Sequence, residues 1–359
     1  MTARQARPGL VELDVDVEGR RQPALAYPAL TGPVAAGDRV ILNTTAVERG
    51  LGTGGYHFVM AVEGQEDLNV SPQGHVMKLR YTPVQAKVLS VEEQDSPHRV
   101  AVEGTEGLDG LPVVWAPLHS MLATVCAGAR AAGAGRIAFA MTDGAALPAW
   151  LSRQVHELRE AGLLDAVVTC GQAVGGDLEA VNLFSGLLAA RSVTGADVVV
   201  VADGPGKVGT ATRWGATDVA GGMALNAAGI LEGRPVAALR VSFSDPDYRH
   251  HGVSPHTLTV LRRVTLVPVQ VAVPALEDHE RRGSVWEALK EAGLEERHQL
   301  VEVTGRPAID LLRQLGVRGK TMGRTEEDDP DFFMAAGAAG VLAGRMAAGS
   351  ARWRREVRR

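Results

Sequence analysis

Between Ser244 and Thr257 the chain gathers Asp245, Asp247, Tyr248, Arg249, His250, His251 and His256. Imidazole and carboxylate are the usual ligands of zinc, manganese and iron, so Asp245, His250, His251 and His256 form a candidate set for a divalent metal. Without a metal, Asp245, His251 and His256 are the candidate catalytic residues for general acid–base work, with Arg249 positioned to contact a phosphate. Adjacent histidines usually point apart, and this spacing is not that of a standard metal motif. The competing reading is therefore a polar loop, in which Asp245-Pro246 caps a turn and Thr257 begins a helix.

A second candidate lies upstream. Asp197 to Asp203 is a β-branched run that stops at Gly204-Pro205-Gly206-Lys207-Val208-Gly209. The turn reads G-x-G-x-x-G with a lysine inside, and unshielded backbone N–H groups suit an anionic ligand. Gly204, Gly206, Lys207 and Gly209 are the expected ligand contacts. The pattern departs from a dinucleotide fingerprint, because the next helix starts only near Asp218 and no acidic strand end follows at about 20 residues. It is not a phosphate loop either, since Lys207 precedes the third glycine. A tight structural turn is the alternative.

Gly175, Gly176 and Asp177 follow another strand, ending at Cys170. They read either as a second anion cradle, or a carboxylate aimed at a ligand hydroxyl, or as a turn in which Asp177 caps a helix running to Arg191. Cys170 has no evident activating partner. Gly50 to His57 reads as a long hairpin turn or a lid.

The elements that must position these groups divide in two. Up to about Gly110 the pattern is short and strand-like: Leu10–Val17 alternates, and further strands are expected at 39–43, 56–60, 75–81, 86–91 and 99–102. This predicts a small β-rich, barrel- or sandwich-like domain over residues 1–110. Residues 111–359 alternate buried strands (137–141, 166–170, 198–202, 236–243, 267–273, 300–303) with helices, predicting a Rossmann-like, mostly parallel α/β domain. Ser284 to Glu287 looks like a capping box, Pro307 like a first helical turn closed at Gly316, and Asp329-Pro330 like the start of the last helix. If the strands are parallel neighbours, their polar carboxyl ends share one crevice.

Composition narrows the function. A hydrophobic share of 45% and a charged share of 22% over 359 residues are ordinary for a globular protein. A net charge of −5 argues against nucleic-acid binding across the surface. The tail arginines Arg352, Arg354, Arg355, Arg358 and Arg359 read as a solvated helix end. No apolar run is expected to reach the roughly 20 residues of a membrane span, the amino terminus lacks a signal-peptide core, and Cys126 and Cys170 make no disulfide framework. A cytoplasmic protein without a membrane partner is the expectation. Gly337, Gly340 and Gly344 give the last helix a small-residue face, which either packs internally or makes a homo-oligomer.

Three segments together, 171–182, Gly204-Pro205-Gly206 and 249–257, resemble a bacterial family catalogued as domain of unknown function 3866, over nearly the whole chain. The resemblance implies no activity and no catalytic residues. The residues themselves point to a protein that binds a small anionic or phosphate-bearing metabolite at the strand ends. The alternatives are a metal-dependent hydrolase using the 245–256 loop, or a non-catalytic dimeric scaffold.

Overall fold

The computed structural model describes residues 2–51, 54–68, 71–245 and 250–357. The first five strands, β1 (Thr2–Arg7), β2 (Leu10–Val17), β3 (Arg20–Ala26), β4 (Val40–Asn43) and β5 (His57–Val62), form one sheet in the order β1-β2-β3-β5-β4. It is open, with β1 and β4 at its edges, rather than a barrel or a sandwich. Alternation in β2 puts Leu13 and Val15 against Ala24, Ala26 and Val59 in a small core. Where the sheet meets the rest of the chain, Leu10, Leu25 and Tyr27 pack with Trp150. At the same seam the Glu12 carboxylate accepts from Arg153 at 2.7 Å and from the Tyr56 hydroxyl at 3.2 Å.

A hairpin, β6 (Val76–Lys78) and β7 (Ala86–Val88), follows. Residues 99–102, expected to be a strand, begin the helix Arg99–Glu103. Val91, Val102 and Leu108 already belong to the large core, so the second core begins upstream of residue 111.

That core surrounds eight parallel strands: β8 (Pro112–Trp115), β9 (Ile137–Thr142), β10 (Ala166–Cys170), β11 (Leu178–Ala180), β12 (Val198–Asp203), β13 (Arg234–Ala238), β16 (Gln270–Pro274) and β17 (Gln299–Val303). Their order is β11-β10-β9-β12-β8-β13-β16-β17. The run Val198–Asp203 is wholly buried, as a strand covered on both faces must be. The sequence pattern foresaw about six strands; it missed β8 and the short β11. It also read 236–243 as one strand. The chain leaves the sheet after Ala238, and Val241–Ser242 (β14) pairs antiparallel with Gly252–Val253 (β15) as a separate ribbon.

The helix near residue 284 starts earlier, at His279, because the Asp278 carboxylate accepts from the Glu280 and Arg281 amides. Helix Arg306–Leu315 has Pro307 in its first turn and Gly316 in the left-handed conformation after its end, as foreseen. Helix Pro330–Val357 also starts where expected. Its Pro330–Gly349 stretch is long and apolar enough to cross a membrane, contrary to the sequence reading, and 72% of it is buried inside the protein. The glycine face is used within the chain: a Cβ on Gly340 would stand 2.1 Å from the Val125 carbonyl oxygen, and one on Gly344 2.4 Å from that of Ala129. The feature behind the homo-oligomer expectation is thus covered by helix Leu122–Ala131.

Candidate functional site at the carboxyl edge of the large sheet

β8 and β12 are neighbours, yet the helices that follow them lie on opposite faces of the sheet. Helix Leu122–Ala131, after β8, packs with helices Arg306–Leu315 and Pro330–Val357; helix Gly221–Ile230, after β12, packs with Leu183–Ser192. This divergence is a topological switch point, the place where open α/β sheets leave a crevice at the carboxyl ends of their strands.

At the end of β12 the Asp203 carboxylate accepts from the Thr142 hydroxyl at 2.6 Å and the Gly144 amide at 3.1 Å, both at the end of β9. Lys207 Nζ lies 3.3 Å from Asp203 Oδ2 and 2.5 Å from Asp218 Oδ1, all three side chains being largely buried. The lysine expected to neutralise a bound anion therefore has its charge met by two carboxylates. Gly204 is needed because a Cβ would strike the Ala146 carbonyl oxygen at 2.2 Å. Gly206 has φ of +93° with nothing within 4 Å of a built Cβ, so open space lies above it. Gly209 belongs to a two-stranded arm, pairing with Ala216.

After β8, His119 is buried between the same elements. Its Nδ1 is 3.0 Å from the Asp203 carbonyl oxygen and its Nε2 2.7 Å from the Ser152 hydroxyl. A carbonyl can only accept, so Nδ1 carries the proton and Nε2 accepts from Ser152. Burial pushes the imidazole down to about 4, and the histidine is neutral near pH 7. The Ser152 hydroxyl also accepts from the Val155 amide, capping helix Arg153–Glu160.

The candidate residues of the 245–256 loop separate. Asp245 is buried, and Arg324 donates to its carboxylate at 3.1 Å, with Arg240 at 3.5 Å. Asp329, at the start of the last helix, joins them through Arg324 at 3.2 Å and Ser242 at 2.7 Å. His250 Nδ1 is 3.4 Å from Arg240, and His251 Nε2 is 2.8 Å from the Asp245 carbonyl oxygen. His256 instead faces the glycine arm, with Nε2 3.1 Å from the Thr212 carbonyl oxygen and Cε1 3.8 Å from a Cβ built on Gly209. Among the described residues no group of three or more His, Cys, Asp or Glu comes together that could hold a metal ion. Arg249, expected at the ligand, lies outside the described residues, as do Pro246, Asp247 and Tyr248.

Gly175, Gly176 and Asp177 do not form a cradle. The Gly175 amide donates to Glu179 Oε1 at 2.8 Å, the Gly176 amide to Thr169 Oγ1 at 3.1 Å, and the Asp177 amide to the Val167 carbonyl at 2.8 Å. Nor does Asp177 cap a helix: its carboxylate accepts from the Val167 amide and Arg159, and Asn182 caps helix Leu183–Ser192. Cys170 packs at Gly186, and burial pushes its thiol up to about 12, which leaves no nucleophile.

One anchor escaped sequence reading entirely. Lys78, from the β6–β7 hairpin, reaches the carboxyl ends of β10 and β11 with its side chain 1% exposed. Its Nζ donates to the carbonyls of Thr169 (3.0 Å), Ala173 (2.6 Å) and Ala180 (3.3 Å) and pairs with Glu179 Oε2 at 2.7 Å. His119, Ser152 and Asp218 were missed too: His119 meets its partners only through topology, Ser152 shows locally only as a helix cap, and Asp218 reaches Lys207 across the glycine arm.

No curated protein and no solved structure matches this sequence. A family model described as protein of unknown function (DUF3866) matches residues 23–340, most of the 359-residue chain. The chain belongs to that family.

Proposed function

We propose that the protein binds a small polar metabolite in the crevice at the carboxyl ends of β9, β12, β8 and β13. The observation that carries this reading is the buried Asp203–Lys207–Asp218 group at the switch point. Desolvating charges costs several kcal/mol each, and these three lie together where open α/β sheets take their ligands. Lys207, held by two carboxylates, is a poor partner for phosphate. The exposed Asp143 carboxylate and the open space over Gly206 fit a ligand carrying hydroxyl groups. The hydrolase alternative has less support, since its loop residues point to different partners.

Thermal-shift measurements against nucleotides, sugar phosphates, sugars and divalent metals test this. A ligand at 100 times its Kd adds about 2.7 kcal/mol of stability, and Asp143→Ala is expected to abolish the shift. A flat response across the panel would favour a scaffold and defeat the proposal.

A further inference from the structure

We propose that Arg80 and Tyr81, at the tip of the β6–β7 hairpin, form a recognition wall of this crevice for a ligand carrying a planar ring and an acidic group. The inference rests on the carboxyl-edge reading and names the ligand class. Four observations meet at the tip. Lys78 pins the hairpin to the ends of β10 and β11 through three carbonyls and the Glu179 carboxylate. The two residues bracketing Arg80 both lie in the left-handed region, Leu79 at φ +53° and Tyr81 at φ +60°. Bulky residues rarely adopt that conformation, and a tip under no other demand would carry glycine or asparagine there. Strained positions of this kind persist where the surrounding structure enforces them, and they cluster at ligand clamps.

Exposure is the third observation: Tyr81 is 99% exposed, and Arg80 is exposed beside it. The fourth is the route from the tip to the switch point. The Arg80 amide donates to Gln172 Oε1 at 3.4 Å, the Gln172 amide to Asp143 Oδ2 at 2.8 Å, and the Gly144 amide to Asp203 Oδ1 at 3.1 Å. A phenol ring offers a stacking face to a planar group. A guanidinium binds a carboxylate or phosphate through paired N–H groups. Arg80 thus supplies the positive charge that Lys207 does not.

Calorimetric and thermal-shift titrations of the full chain with AMP, UMP, benzoate, ribose 5-phosphate and inorganic phosphate test the assignment, nucleotides and benzoate separating the two sources of a ring with an acid. At least one ring-bearing probe is expected to bind wild type more tightly than ribose 5-phosphate does. Tyr81→Ala weakens that probe at least tenfold and leaves ribose 5-phosphate unchanged; Tyr81→Phe retains binding. Arg80→Ala weakens every anionic probe that binds. The ligand-free melting temperatures of these surface variants serve as the folding control. Ring-bearing probes that bind wild type and both alanine variants equally overturn the assignment while leaving the crevice reading intact. Binding by none of the five overturns the assignment, and a flat response to the wider panel as well defeats both.

Discussion

Lys78→Met asks how firmly the hairpin is tied to the large sheet. The substitution keeps the apolar stem and removes the ammonium, so three buried carbonyls lose a donor and Glu179 loses its cation. Removing one partner of a buried pair costs about 3–5 kcal/mol. The low end applies here, because the Glu179 carboxylate, 13% exposed, keeps its bonds to Thr169 Oγ1 at 2.7 Å and the Gly175 amide at 2.8 Å. Met at position 78 is therefore expected to cost about 3 kcal/mol. At 1.4 kcal/mol per factor of ten, hydrogen-exchange protection in 74–90 should fall by about two orders of magnitude. The amides of β9 and β12 should change far less, since their ladder does not involve Lys78. Adding Glu179→Gln should recover part of the loss, the signature of direct coupling. A loss under fivefold, or one spread evenly over the large sheet, would refute the claim that Lys78 holds the hairpin in place.

Three further outcomes follow from the packing. Gly340→Ala places a methyl 2.1 Å from the Val125 carbonyl oxygen and 3.0 Å from the Ala129 nitrogen, both backbone, so urea denaturation should show a loss of about 3 kcal/mol. Ser152→Ala removes a helix cap and leaves His119 Nε2 without its donor, for a combined cost of about 2 kcal/mol in the same assay; a change under about 0.5 kcal/mol would contradict the hydrogen bond. The buried His119 imidazole has a folded pKa near 4 against an ordinary 6.5, so on acidification the unfolded chain takes up the proton first. Its contribution is complete above about pH 6.5, is lost as pH falls toward 4, and totals about 3 kcal/mol; in His119→Gln that part of the stability–pH slope should vanish.

The periodic parts of the sequence were legible. Val198–Asp203 had to be a covered parallel strand, and Pro307 with Gly316 bracketed a helix. The misreadings arose where local rules competed. Asp278 outbid the Ser284 box because it reaches two amides, and Asp177 serves the start of a strand, bonding the Val167 amide and Arg159, while Asn182 takes the cap of the next helix. The glycine turn was located correctly, yet the role of Lys207 was not, because Asp218 is eleven residues away and only the folded arm brings it to 2.5 Å. His119 and Lys78 carry no periodic or motif signal, and their partners lie 33 to 102 residues away; Ser152 signals only its local cap on Val155, not its bond to His119. Side chains that meet only through topology leave no trace in a single chain.

The glycine-lined seam of the final helix also bears on how the protein is made. That helix packs on β8, β13 and β16 as well as on helix Leu122–Ala131. β8 is the first strand of the large sheet to be synthesised, and the helix covering it is the last element described. A ribosome adding about 5–20 residues per second thus releases a sheet whose β8, β13 and β16 stretch lacks its cover on one face until residues beyond 330 emerge. During that interval the exposed Val and Ala surface is open to association with other chains. The glycines that let the two helices touch backbone to backbone also let the late arrival seat without large side chains to reorder. Vectorial synthesis thus brings this cover to the β8, β13 and β16 stretch well after those strands are made.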